Sequence, residues 1–139
     1  MLFWDTSALV PLLVREDRSA DVSKVLRGDP DLITSAISPL ELSSALWRRR
    51  HAGILSLADH EIAERRFAEV SVRWIEVAQS SAAFDHAMRL LARHALRSLD
   101  ALQLASALVV TRAPAFLPFV TLDKRLIAAA RAEGFPVLP

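Results

Sequence analysis

Met1-Leu2-Phe3-Trp4-Asp5-Thr6-Ser7-Ala8-Leu9-Val10 is the stretch on which the fold turns. Leu2-Phe3-Trp4 is short, apolar and bulky, as a buried strand is. One carboxylate follows, Asp5. Thr6 and Ser7 then offer capping hydroxyls ahead of a second apolar run from Ala8 to Val14, which predicts a helix. Strand, acid, helix is the opening unit of an open α/β sheet, where ligands bind at the carboxyl ends of the strands. Asp5 is placed at such an end. Three distant acids, Glu41, Asp100 and Asp123, are expected to fold back and meet it.

The rest of the chain repeats the alternation. Arg18 to Arg27 reads as a helix stopped by Gly28, and Asp31 to Thr34 as a second strand. Ser38 as cap and Pro39 at the first position open a helix to about Ala52, closed by Gly53. Ser56 caps a helix through Val70. Trp74 to Val77 is the third strand, and Ser80 or Ser81 begins a helix to about Leu96. Ser98 to Val110 is apolar nearly all round and is expected to be largely buried. Thr111 to Pro118 is a proline-bearing loop. Phe119 to Thr121 is the fourth strand, Asp123 caps a helix from Lys124 to Ala132, and Pro136 to Leu138 is an edge strand. Strands alternating with helices predict a central parallel sheet of four to five strands between two helical layers.

With 139 residues, one domain over 1–139 is expected, and 53% hydrophobic residues are ample for a core. The net charge of +1 argues neither for nor against a nucleic-acid partner. The absence of cysteine rules out disulfides and thiolate metal sites and fits a reducing cytoplasm. No apolar run approaches the ~20 residues of a membrane span. His51, His60, His86 and His94 show no zinc spacing and read as surface or helix-flank residues. Ser7 has no partner histidine for a serine-hydrolase elbow, and no glycine-rich phosphate loop is present.

Each of the four acids has a local structural role open to it. Asp5 and Asp123 are good helix caps, Ser38-x-x-Glu41 is a capping box, and Asp100 suits the first turn of its helix. Together they raise a different question. Carboxylates are rarely buried alone, and Asp5 has no basic neighbour in sequence before Arg15. Clustered carboxylates with no cation force one another to take up protons. A divalent ion removes that conflict, and hard oxygen donors select Mg²⁺ or Mn²⁺.

Four segments in order carry a resemblance. They are Asp5-Thr6-Ser7-Ala8-Leu9, Ser38-Pro39-Leu40-Glu41-Leu42, the run from Leu96 to Leu108 around Ser98-Leu99-Asp100-Ala101-Leu102, and Val120-Thr121-Leu122-Asp123-Lys124-Arg125-Leu126. The chain resembles the PIN-domain ribonucleases, and most closely the VapC-type toxins of bacterial toxin–antitoxin pairs, over essentially its whole length. The resemblance implies a three-layer α/β/α PIN-like domain and a metal-dependent endoribonuclease that cuts RNA at a Mg²⁺ or Mn²⁺ site. It implies that Asp5, Glu41, Asp100 and Asp123 are the catalytic, metal-holding acids, with Ser7 and Thr121 as supporting hydroxyls. It further implies a homodimer and a cognate antitoxin that lays apolar residues in a groove beside Trp47. Basic residues near the pocket, Arg97, Lys124 and Arg125 among them, could hold flanking phosphates, although any one of them reads first as part of a solvated face. Two other readings stand beside it. One is a phosphoryl-handling α/β domain, which needs paired acids after the first strand that Asp5-Thr6-Ser7 does not supply. The other is a catalytically silent binding module.

Overall fold

In the computed structural model, which describes residues 1–111 and 116–139, strands and helices alternate along the chain. The order is β1 (Leu2–Trp4), α1 (Thr6–Leu13), α2 (Ser19–Gly28), β2 (Leu32–Ser35), α3 (Ser38–His51), α4 (Leu57–Ser71) and β3 (Trp74–Val77). It continues with α5 (Ser81–Arg93), α6 (Ser98–Val110), β4 (Phe119–Val120), α7 (Lys124–Ala132) and β5 (Val137–Leu138). The middle of the proline-bearing loop, 112–115, lies outside the described residues.

The five strands form one sheet in the order β3-β2-β1-β4-β5, with every pairing parallel. Leu2 stands opposite Leu32, and Trp4 opposite both Thr34 and Val120. Successive side chains on a strand point to opposite faces, and both faces here are covered. Leu2, Trp4, Leu32 and Val120 join a core with α1, α2, α3 and α4. Phe3, Ile33 and Phe119 join a second core with α5, α6 and α7, with the rings of Phe3 and Phe119 stacked at 5.4 Å. These two cores on either side of one sheet are the three layers expected. Complete burial of Phe3, Trp4 and Phe119 contributes on the order of 2–3 kcal/mol each.

Strand order reverses direction at β1, since β2 lies on one side of it and β4 on the other. A crevice opens at the carboxyl ends of strands at such a point. The chain leaves β1 at Asp5 and β4 at Thr121, and Asp5 N–H donates to Val120 O at 2.9 Å, closing the two ends together.

Several local expectations are corrected. The cap of α3 is Ile37 and that of α6 is Arg97, so Ser38 and Ser98 lie inside their helices. The helix α5 ends at Arg93, short of Leu96. His60 is no surface residue: it is 2% exposed, with its ring 4.3 Å from that of Trp47. Gly53 and Gly134 take positive φ of 71° and 94° just beyond α3 and α7, where a side chain would be strained.

Candidate active site

Asp5, Glu41, Asp100 and Asp123 line a single cleft of about 290 Å³ at the reversal point. Thr6, Ser7, Val10, Glu16, Ala45, Arg48, Arg49 and Leu126 complete its walls. Each acid sits at a helix start. Asp5 caps α1, Glu41 and Asp100 lie in the first turns of α3 and α6, and Asp123 caps α7. Four helix N-termini therefore border the cleft and present the partial positive charge that suits anions.

Asp5 is the most buried of the four, at 4% exposure. Its Oδ2 accepts from Ser7 N (3.1 Å), Ser7 Oγ (2.5 Å) and Thr121 Oγ1 (3.0 Å). Burial raises its pKa from 3.8 to about 6 against the lowering by the Ser7 and Thr121 hydrogen bonds, with the Glu41 charge adding to the rise. Ser7 Oγ also accepts from Leu122 N (2.9 Å) and Asp123 N (3.2 Å), so one hydroxyl ties the ends of β1 and β4 together.

Glu41 does not form the expected capping box. Its Oε2 instead accepts from Thr6 Oγ1 at 2.7 Å and Gln103 Nε2 at 2.5 Å. Ser38 Oγ turns away from the helix end to meet Thr34 Oγ1 (2.6 Å) and Gln103 Nε2 (3.0 Å). The first turn of α3 thus finds side-chain partners on α1, β2 and α6 in place of its own backbone. Asp123 Oδ1 accepts from Arg125 N (2.7 Å) and Leu126 N (3.1 Å), and Asp100 Oδ2 accepts from Arg97 N (3.3 Å). Asp100, Glu41 and Asp123 are half-buried, and beyond Asp100 the helix α6 is largely buried from Ala101 to Ala107 as expected.

One regularity runs through the set. Each acid has one oxygen engaged by the protein, Oδ2 of Asp5 and Asp100, Oε2 of Glu41 and Oδ1 of Asp123. Among the described residues the other oxygen of each accepts no hydrogen bond. The donor set on the cleft is oxygen alone, without His or Cys, which fits a hard divalent cation. Among the described residues no three acids or histidines gather closely enough to form a closed metal cage.

The cations at the cleft are Arg48 and Arg49, and the solvated-face reading suits Arg97, Lys124 and Arg125, which are exposed and do not line it. Arg49 Nη2 pairs with Glu16 Oε1 at 2.6 Å, while Arg48 makes no ion pair among the described residues. The lining of α3, Glu41, Ala45, Arg48 and Arg49, follows the i, i+4, i+7, i+8 spacing of one helix face. That spacing was the available signal for both arginines. Gln103 was also missed, because a polar residue in an apolar helix carries no sign of which acid it will meet.

A family profile described as PIN domain matches residues 2–132. Ribonuclease VapC45 of Mycobacterium tuberculosis (strain CDC 1551 / Oshkosh) is 30% identical over 146 residues, covering 100% of this chain and 95% of that protein. Ribonuclease VapC47 of the same strain is 28% identical, covering 97% and 93%. Among solved structures, M. tuberculosis VapC20, described as a sarcin-ricin loop cleaving toxin, superposes with a TM-score of 0.69 at 23% identity over 100% of both chains. A toxin–antitoxin complex from Klebsiella pneumoniae gives a TM-score of 0.66 at 17% identity, covering 100% of this chain and 97% of that one.

Proposed function

The chain belongs to the PIN-domain family, and from that premise we propose that it is a metal-dependent endoribonuclease, the toxin of a toxin–antitoxin pair. The observation that carries the proposal is the cleft, where four acids from four helix starts each keep one oxygen free of protein donors. Asp5 and Asp100 are the principal holders of Mg²⁺ or Mn²⁺, with Glu41 and Asp123 completing the set. When bound, the ion activates water and offsets charge on the scissile phosphate.

The chain's own residues do the rest. Ser7 and Thr121 lock the Asp5 carboxylate by one oxygen and leave Oδ1 facing the cleft. Glu41 or Asp123 orients the attacking water and takes its proton. The Arg48 guanidinium, exposed at the rim of the same cleft, neutralises a phosphate flanking the cut. The N-termini of α1, α3, α6 and α7 direct backbone N–H groups toward the polyanion.

The partner reading goes with this function. A cognate antitoxin masks the acids with a basic side chain and lays apolar residues over α3 and α4. Trp47 on α3, Leu57 at the start of α4 and Ile54 between them are 44%, 57% and 71% exposed. The toxin is a single PIN domain acting as a homodimer in the cytoplasm. No helix among the described residues is long and apolar enough to cross a membrane. The test is cleavage of a panel of structured RNAs by the purified protein with EDTA, Mg²⁺ and Mn²⁺, beside Asp100→Asn. Metal-dependent cutting by wild type and none by the variant is expected. Equal cutting by both, or cutting in EDTA, would refute the proposal.

A further inference from the structure

Gln103 lies in the middle of α6 and is 1% exposed, surrounded by the apolar residues of that helix. Its Nε2 reaches Glu41 Oε2 at 2.5 Å, Thr6 Oγ1 at 2.8 Å and Ser38 Oγ at 3.0 Å. Proton counting resolves these contacts. Thr34 Oγ1 donates to Trp4 O at 2.7 Å, so it accepts from Ser38, and Ser38, having given its proton, accepts from Gln103. Thr6 gives its proton to Glu41. The amide has two protons, and the second goes to Glu41, which is nearer than Thr6 Oγ1 and is the charged acceptor. A continuous relay thus runs from the backbone of β1 through Thr34, Ser38 and Gln103 to one oxygen of Glu41.

The other end of the same amide tells against a purely structural role. Gln103 Oε1 is buried and has no hydrogen-bond partner among the described residues. An orphaned buried carbonyl destabilises, and a leucine would fill similar space without it. The amide therefore serves something other than packing, and its shortest contact is to an acid of the cleft.

Resting on the metal-dependent nuclease reading, we propose that Gln103 is a positioning residue. It holds Glu41 by Oε2, together with Thr6, so that Oε1 is presented to the divalent cation and the reacting water. Free of Gln103, the Glu41 side chain regains the rotamers of an ordinary half-exposed glutamate and meets the cation less often. Gln103 itself touches neither RNA nor metal, since it does not line the cleft.

The test uses the full-length protein and Mn²⁺ alone as probe. Gln103→Met keeps length and burial but removes the donor. Gln103→Asn keeps the amide but draws it back from Glu41. Ser106→Ala, one turn along the same helix and equally buried, removes contacts to Ser35, Gln79 and the Leu102 carbonyl, none of which lines the cleft. Mn²⁺ binding is read by electron paramagnetic resonance, and kcat and KM are measured on an RNA that wild type cuts. Both Gln103 variants are expected to bind Mn²⁺ about tenfold more weakly and to lose about tenfold in kcat with KM for RNA unchanged. Ser106→Ala is expected to match wild type in both. Wild-type Mn²⁺ affinity in the two folded Gln103 variants overturns the inference, as does an equal loss in Ser106→Ala. Failure of both Gln103 variants to fold also overturns it, because Gln103 is then a core residue. If wild type itself neither binds Mn²⁺ nor cuts RNA, it is the nuclease reading that falls.

Discussion

Replacing Asp5 by asparagine should make the metal-free protein more stable at neutral pH, although the same change removes a principal metal ligand. The carboxylate is buried, and its pKa is raised from 3.8 to about 6. A folded-state pKa above the unfolded one means that the folded protein holds its proton over a range where the unfolded chain has lost it. Stability from this group is fully present below pH ~4 and is lost as pH rises through ~6. A shift of about two units corresponds to roughly 3 kcal/mol at pH 8. Asparagine keeps the α1 cap and an oxygen to accept from Ser7 and Thr121, but accepts those bonds less strongly than a carboxylate does. The net gain is therefore about 1–3 kcal/mol, or roughly 3–10 °C in Tm for a chain of this size. The assay is thermal unfolding of both proteins in EDTA from pH 4 to pH 8. The two curves should nearly coincide at pH 4 and separate progressively above it, with the asparagine variant higher. A variant that is less stable at pH 8, or a gap that does not change with pH, would refute the assignment of Asp5 as a buried, desolvated carboxylate.

Other changes separate the parts of the cleft. Asp100→Asn should abolish cleavage while shifting stability by less than about 1 kcal/mol, because Asp100 is half-buried and its cap contact to Arg97 N is long; calorimetry beside an RNA assay checks both. Saturating Mn²⁺ should raise the Tm of wild type by binding only the folded state, by about 2.7 kcal/mol at a hundredfold excess over Kd, and should do so far less in Asp100→Asn. Arg48→Ala should weaken RNA binding and flatten its salt dependence by about one unit of log–log slope, leaving the fold intact; an unchanged slope would remove Arg48 from the phosphate path. Ser38→Ala should destabilise by about 1–3 kcal/mol through the orphaned partners Thr34 and Gln103, not through a lost cap, and should lower activity with it. Normal cleavage by that variant would uncouple the relay from Glu41.

The alternation of apolar segments and helices was legible in the residues because burial on both faces of a parallel sheet demands short apolar strands and helical periodicity between them. Asp5 and Asp123 were legible for a related reason: one follows an apolar strand directly and the other within three residues, and a strand's carboxyl end points at the crevice. Glu41 and Asp100 were legible as acids at helix starts, but not for what they contact. A Ser38-x-x-Glu41 spacing is equally consistent with a capping box and with a side chain drawn elsewhere. Only the meeting of the starts of α1 and α3 with the middle of α6 placed Thr6 and Gln103 within reach of Glu41. The same holds for Arg48, whose distance from Asp5 along the chain hides a short distance in space, and for His60, buried because Trp47 lies over it. The sequence by itself determined which segments must be strands and helices and which acids lie at their ends, since local pattern sets those. Asp100 and Asp123 are held by backbone N–H groups two or three residues away, a contact that local pattern allows, but the grip of Thr121 on Asp5 and of Thr6 and Gln103 on Glu41 came from tertiary structure, since those contacts join residues 35 to 116 positions apart and no local pattern spans that distance.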